Sequence, residues 1–205
     1  MFLLFKVGKT IIEMNAIQIY FLFPDVLDNK EDIIKLRLAL INVTSFHFEN
    51  PDSEMIKKIT STFRPIITKF YIVNCNNYYN PVIRSPIVPN FRSLLDFVKL
   101  NGRNLRHIYL ESCYIDDKFL QSLARVKNLK LKTFYLKKCE NFTDFGLRRF
   151  FEIQNKIIDL DLSGNDFLTN KILYEICFYL PKIKSFNIRS CNGFTDVSSN
   201  LYKNR

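Results

Sequence analysis

The sequence predicts an α/β solenoid, a curved stack of about six units with parallel strands on the inside and helices on the outside. Three observations carry that prediction. Four stretches share one pattern: Leu105-x-x-Ile108-x-Leu110-x-x-Cys113, Leu131-x-x-Phe134-x-Leu136-x-x-Cys139, Ile157-x-x-Leu160-x-Leu162-x-x-Asn165 and Ile183-x-x-Phe186-x-Ile188-x-x-Cys191. They start at 105, 131, 157 and 183, so every step is 26 residues, a period typical of stacked repeats. Within each stretch the fourth to sixth positions alternate apolar, other, apolar, which is the period of a strand. Helix starts follow the strands. Thr143 is a good N-cap, Asp144 complements the helix dipole, and Leu147, Phe150 and Phe151 share one helical face.

The elements follow in order from the N-terminus. Residues 1–42 lie outside the repeats, and Asp28 to Asn42 reads as an amphipathic helix suited to cap the first unit. That unit opens with Val43-x-x-Phe46-x-Phe48-x-x-Pro51, and Ser53-Glu54 then precede Met55, Ile56 and Ile59. The second opens with Ile67-x-x-Phe70-x-Ile72-x-x-Cys75. From 67 to 105 the step is 38, twelve more than 26, and the excess lies near 76–90. Three prolines and the Asn76-Asn77 and Asn80-Pro81 pairs mark a loop there. Insertions in a solenoid map to one face, often the binding face. In the third unit Asp116-Asp117 precede Phe119, Leu120 and Leu123. In the fifth, Thr169-Asn170 precede Ile172, Leu173, Ile176 and Cys177, and in the sixth Thr195-Asp196 repeat the cap. Residues 43–205 are therefore expected to form one repeat domain, because a single unit cannot bury its own apolar face.

The nine-position pattern matches the leucine-rich repeat. The run Cys139-Glu140-Asn141-Phe142-Thr143-Asp144-Phe145-Gly146-Leu147 resembles the cysteine-containing subtype of that repeat. Cys191-Asn192-Gly193-Phe194-Thr195-Asp196 is similar, and Cys113-Tyr114-Ile115-Asp116-Asp117 is a shortened version. This subtype is similar to the repeats of F-box/leucine-rich-repeat proteins. The resemblance implies a non-enzymatic module that recognises substrates for an SCF-type ubiquitin ligase. Phe23-Pro24-Asp25-Val26-Leu27 and Asp32-Ile33-Ile34-Lys35-Leu36 resemble a degenerate F-box core, without its tryptophan. Residues 1–42 thus read either as a dock for the SCF adaptor or as a plain helical cap. A second resemblance, carried by the stretches at Cys113 and Cys139, is to mitochondrial ATP synthase coupling factor B (subunit s). It implies an assembly or coupling factor instead.

Composition narrows the choices. No apolar run reaches the roughly 18 residues of a membrane span, and MFLLFKVGKT is too short and too charged for a secretory leader. A cytoplasmic or nuclear location is expected, with a mitochondrial one as the alternative. The formal net charge of +10 raises nucleic acid as a third possibility. Lys and Arg occur along the chain as singles and pairs, not as a block. The richness in Lys, Asn, Ile, Phe and Tyr also follows from A/T-rich coding, so nucleic acid is not the expected partner.

Five cysteines invite a metal or disulfide interpretation. Cys75, Cys113, Cys139 and Cys191 all occupy the ninth position, where the chain turns out of the strand, and none belongs to a C-x-x-C pair. They are expected to be structural thiols contacting backbone groups of the turn. No metal, cofactor or catalytic group is assigned. The chain holds two histidines, His47 and His107, and contains no nucleophile motif or phosphate-binding loop.

The repeat also works as a ruler for the concave face. Its fifth position points away from the core and gives His47, Tyr71, Tyr109, Tyr135, Asp161 and Asn187 down the six units. Flanking positions add Lys69, His107, Glu111, Thr133, Lys137, Asp159, Ser163, Ser185 and Arg189. Three tyrosines on consecutive rungs form an aromatic ladder, and tyrosine offers apolar area with a hydrogen-bonding tip. A protein partner is expected on this face. Asp159 and Asp161 are expected to sit together on its exposed surface.

Overall fold

The computed structural model describes the backbone of residues 45–49, 67–73, 79–80, 85–86 and 91–194, and the side chains of 67–73 and 92–194. The strands are β1 (Ser45–Glu49), β2 (Lys69–Val73), β3 (Tyr79–Asn80), β4 (Ser85–Pro86), β5 (His107–Glu111), β6 (Thr133–Lys137), β7 (Asp159–Asp161) and β8 (Ser185–Asn187). The helices are α1 (Phe91–Asn101), α2 (Asp117–Ala124), α3 (Asp144–Ile153) and α4 (Asn170–Tyr179). From β5 onward strand and helix alternate, and the architecture is α/β with a parallel sheet.

That sheet has six strands in the order β1-β2-β5-β6-β7-β8. Register is kept by the repeat: Phe70 faces Ile108, Ile108 faces Phe134, Phe134 faces Leu160 and Leu160 faces Phe186. Equivalent positions therefore stand on adjacent rungs, about 4.8 Å apart. From β5 onward the strands run parallel because each leads to the next through a helix on the same side of the sheet. The first, fourth and sixth positions are buried from Ile67 to Leu162 and form one core with the apolar helix faces. Neighbouring helices α2, α3 and α4 lie side by side over it. In the last unit Ile183, Phe186 and Ile188 are partly buried.

The ninth position is a hydrogen-bonded ladder. Cys113 Sγ lies 3.9 Å from the Ile72 carbonyl oxygen, Cys139 Sγ 3.4 Å from that of Leu110, and Cys191 Sγ 3.1 Å from that of Leu162. Each thiol reaches one unit back and also faces a carbonyl of its own unit, which for Cys113 is the nearer, at 3.2 Å from Glu111. Asn165 makes the same reach with an amide, donating at 2.7 Å to the Leu136 carbonyl, and its Oδ1 accepts from Cys139 N–H at 2.9 Å. Asparagine thus satisfies a donor and an acceptor of the previous turn, whereas a thiol is a weak donor. Burial pushes the Cys139 thiol pKa upward, and the neighbouring Cys113 adds to the rise. The residue just before each ninth position is left-handed: Ser112 (φ 51°), Lys138 (49°), Gly164 (74°) and Ser190 (56°). The chain leaves β5, β6, β7 and β8 through that conformation, which is strained for most residues other than glycine.

Helix starts are clasped from one unit to the next. Asp116 caps α2 by accepting from Phe119 N–H at 2.7 Å. Thr143 caps α3, with Oγ1 3.4 Å from Gly146 N. The carboxylate of Asp117 accepts from Thr143 N–H (2.8 Å) and from its hydroxyl (2.7 Å). Asp144 holds Thr169 through the same two groups. Asp117 and Asp144, each just after a cap, therefore complement their own helix dipoles and also tie down the next cap. Gly146 makes room for this clasp, since a Cβ there would stand 2.0 Å from Asp117 Oδ1.

One expectation changes. The insertion near 76–90 contains the antiparallel pair β3 and β4 and leads into α1, a helix with no acidic residue in its first turn. Cys177 is half-buried, at the margin of the apolar face of α4. Residues 1–42, the helix of the first unit, Cys75 and the sixth helix from Thr195 lie outside the described residues.

Candidate functional site

The described helices occupy one side of the sheet, so the third, fifth and seventh positions of the strands make up the other side. The tyrosines sit there as a continuous cluster. Tyr71 and Tyr109 stack with centroids 4.1 Å apart and planes inclined by 3°. Tyr109 and Tyr135 meet edge to face at 4.8 Å. All three are half-buried, and mutual contact holds their rings in place. The Tyr135 hydroxyl donates to Asp159 Oδ2 at 2.8 Å. Burial pushes its pKa up to about 12, with Asp159 adding to the rise. Burial likewise raises the pKa of Tyr109, aided by its hydrogen bond with Tyr71. Both phenols stay neutral over the physiological range, so the ladder presents aromatic surface and hydroxyls without charge.

Either side of the ladder is polar. His107 Nδ1 is 2.9 Å from Thr133 Oγ1 on the next rung. Burial lowers the His107 pKa, with Lys69 and Lys132 adding to the fall, so the ring stays neutral to a lower pH than a free imidazole. Lys137 pairs with Glu111 across adjacent strands at 3.6 Å. Asp159 stands opposite Thr133, two rungs from His107, and holds the tyrosine. His107, Thr133 and Asp159 therefore do not form a nucleophile, base and orienter in series. Among the described residues no three His, Cys, Asp or Glu side chains gather to hold a metal ion.

Asp161 departs from expectation. It is 9% exposed, because its carboxylate turns back to accept from Ser163 N–H at 2.9 Å and from Asn187 Nδ2 at 3.0 Å. Asp159 is half-buried. The two carboxylates share a face, but each is committed to a neighbour. Asn187 faces Asp161 in register, and His47 is the register partner of Tyr71.

Two amides that set the starts of strands lie outside the nine-position pattern. Gln154, 3% exposed, donates to the Ala124 and Leu129 carbonyls and accepts from Leu131 N–H at 3.2 Å. Asn101 accepts from Ile67 N–H at 3.3 Å in the same way. An amide at the end of a helix, recurring just before the next first position, is the signal that would have found them. They fix the strands that carry Tyr71 and Tyr135.

No family model and no curated protein matches this chain. Among the described residues no helix is long and apolar enough to cross a membrane.

Proposed function

We propose that the chain is a leucine-rich-repeat solenoid of about six units that binds a protein partner on the open face of its sheet. The observation that carries this reading is the tyrosine ladder: Tyr71, Tyr109 and Tyr135 pack on one another on the side of the sheet away from the helices. Rings already ordered lose little freedom on binding, and tyrosine is enriched at the energetic centres of interfaces. The 26-residue step, parallel register and ninth-position ladder support the repeat assignment.

The partner is a substrate, and the complex served is an SCF-type ubiquitin ligase. The support for this is the resemblance of the cysteine-containing units. Affinity purification of the full chain tests it, with recovery of the adaptor and a cullin as the expected result. Loss of that recovery on deletion of residues 1–42 would assign the dock to that segment. Co-fractionation with mitochondria would instead favour the assembly-factor alternative. For the face itself, Tyr109→Ala with Tyr135→Ala should weaken capture of the recovered partner at least tenfold while the protein still unfolds cooperatively. Undiminished capture by the folded double variant would remove the ladder from the binding site.

A further inference from the structure

The cations that are scattered in the sequence are collected by the fold. Every described helix leads into its next strand by a loop at one edge of the sheet: residues 102–106, 125–132, 154–158 and 180–184. The first carries Arg103 and Arg106. The second carries Arg125, Lys127, Lys130 and Lys132, four cations in eight residues. Lys156 follows in the third, and Lys182 with Lys184 in the fourth. These loops contain nine cations and no Asp or Glu. All nine are exposed except Arg106, which is half-buried. None takes part in an ion pair among the described residues.

The opposite edge, where strands lead into helices, has the reverse sign. Residues 112–117, 138–144 and 164–170 hold Asp116, Asp117, Glu140, Asp144 and Asp166 against a single Lys138. Helix dipoles account for part of this polarity, since cations favour helix C-termini. Each dipole is equivalent to about half a charge, so four helices offset only about two of the nine cations. About seven positive charges remain along the four rungs from β5 to β8, a length of about 14 Å. The local field is also felt by His107, whose pKa is lowered first by burial and then by Lys69, Lys132 and Arg106, with Asp159 opposing.

We propose that this edge is a second binding surface, which takes the phosphodiester backbone of a nucleic acid. Charge density selects that class. A nucleic-acid strand carries a fixed charge about every 3.4 Å whatever its sequence. An extended peptide advances about 3.3 Å per residue and reaches the same density only if every residue is acidic. The site reads backbone charge, so it binds without sequence preference. The contacts release counterions, which makes binding steeply salt-dependent.

The test is a titration of the full chain against a short DNA duplex and, separately, a single-stranded RNA, over a range of salt concentrations. Six phosphate contacts would weaken duplex binding roughly a thousandfold between about 50 and 200 mM salt. Replacing Lys127, Lys130 and Lys132 by Gln should reduce the slope of log K against log salt by about 2.7 on the duplex. Lys118→Gln with Lys171→Gln, which removes charge elsewhere on the surface, should leave that slope unchanged. Binding of the duplex alone or of the RNA alone would identify the source of the phosphates. Absence of binding to both at low salt would overturn the proposal. So would equal loss in the control variant, or tighter binding to a polyglutamate peptide of matched charge. The tyrosine variants test the protein-binding face separately, because they leave all nine cations in place.

Discussion

Replacing Asn165 by alanine should be among the most damaging single changes available in this fold. The side chain is fully buried and spans two units. Its Nδ2 donates to Leu136 and Leu162 carbonyls, each at 2.7 Å, and its Oδ1 accepts from Cys139 N–H at 2.9 Å. Alanine leaves two carbonyls and one N–H without these partners. Each bond contributes about 1 kcal/mol net, and leaving a buried group unsatisfied costs about 1–3 kcal/mol. With partial relaxation of the turn, the expected loss is about 3–5 kcal/mol. Asn165→Cys installs the side chain used at Cys113, Cys139 and Cys191. It retains a donor toward Leu136 and gives up the strong acceptor for Cys139 N–H, for a loss of about 1–2 kcal/mol. Urea unfolding at constant m-value measures both. A loss below about 1 kcal/mol for the alanine variant, or cysteine no better than alanine, would refute the ladder as the reason for Asn or Cys at the ninth position.

Three further outcomes follow from the geometry. Gly146→Ala should destabilise by about 2 kcal/mol in the native sequence, because its Cβ displaces the Asp117 carboxylate from Thr143; in an Asp117→Ala background, where only the residue-117 Cβ remains close at 3.0 Å, the cost should fall to about 0.5 kcal/mol or less as helix propensity offsets that contact. A double-mutant cycle reads that coupling, and additivity would contradict the clasp. Gly164→Ala should cost about 1–2 kcal/mol in thermal unfolding, since its φ is 74° and a Cβ would lie 2.8 Å from Lys138 Cγ, whereas Ser112→Gly should change stability by less than about 0.5 kcal/mol. Tyr135 should ionise late, near its folded pKa of about 12. Because that pKa lies above the unfolded value of about 10, the contribution to stability is complete below pH 10 and is lost as pH rises toward 12. Asp159→Asn should lower the tyrosinate midpoint, and an unchanged ultraviolet titration would show that the Asp159 contact does not matter.

Much of the framework could be read because one period serves two scales. A step of 26 residues sets equivalent side chains on adjacent rungs, so the pattern from Leu105 onward located the strands, their register and the caps at Asp116, Thr143 and Thr169. Helix α1 was missed because the insertion interrupts the ruler and its first turn has no acidic residue. Alternation gives the face of Asp161 but not its bonds to Ser163 and Asn187, which bury it. The basic edge stayed hidden for a different reason. Charge clusters are sought along a chain, whereas stacked units gather residues that lie a full period apart.

The cross-unit bonds have a modular consequence. Asp117 reaches Thr143, Asn165 reaches Cys139 and Asp166 reaches the N–H of Asn192, each across 26 residues. Excising residues 131–156 would join Lys130 to Ile157 and bring Asp117 opposite Thr169, and Cys113 opposite Asn165. At these two joints the ends left by the cut are complementary, while the Gln154 bonds to Ala124 and Leu129 leave with the excised unit, since Leu180 takes that place. At the helix clasp and the ninth position the units share one joint, so an array lengthened or shortened by whole units would keep those bonds, and the number of tyrosines in the row becomes an adjustable dimension.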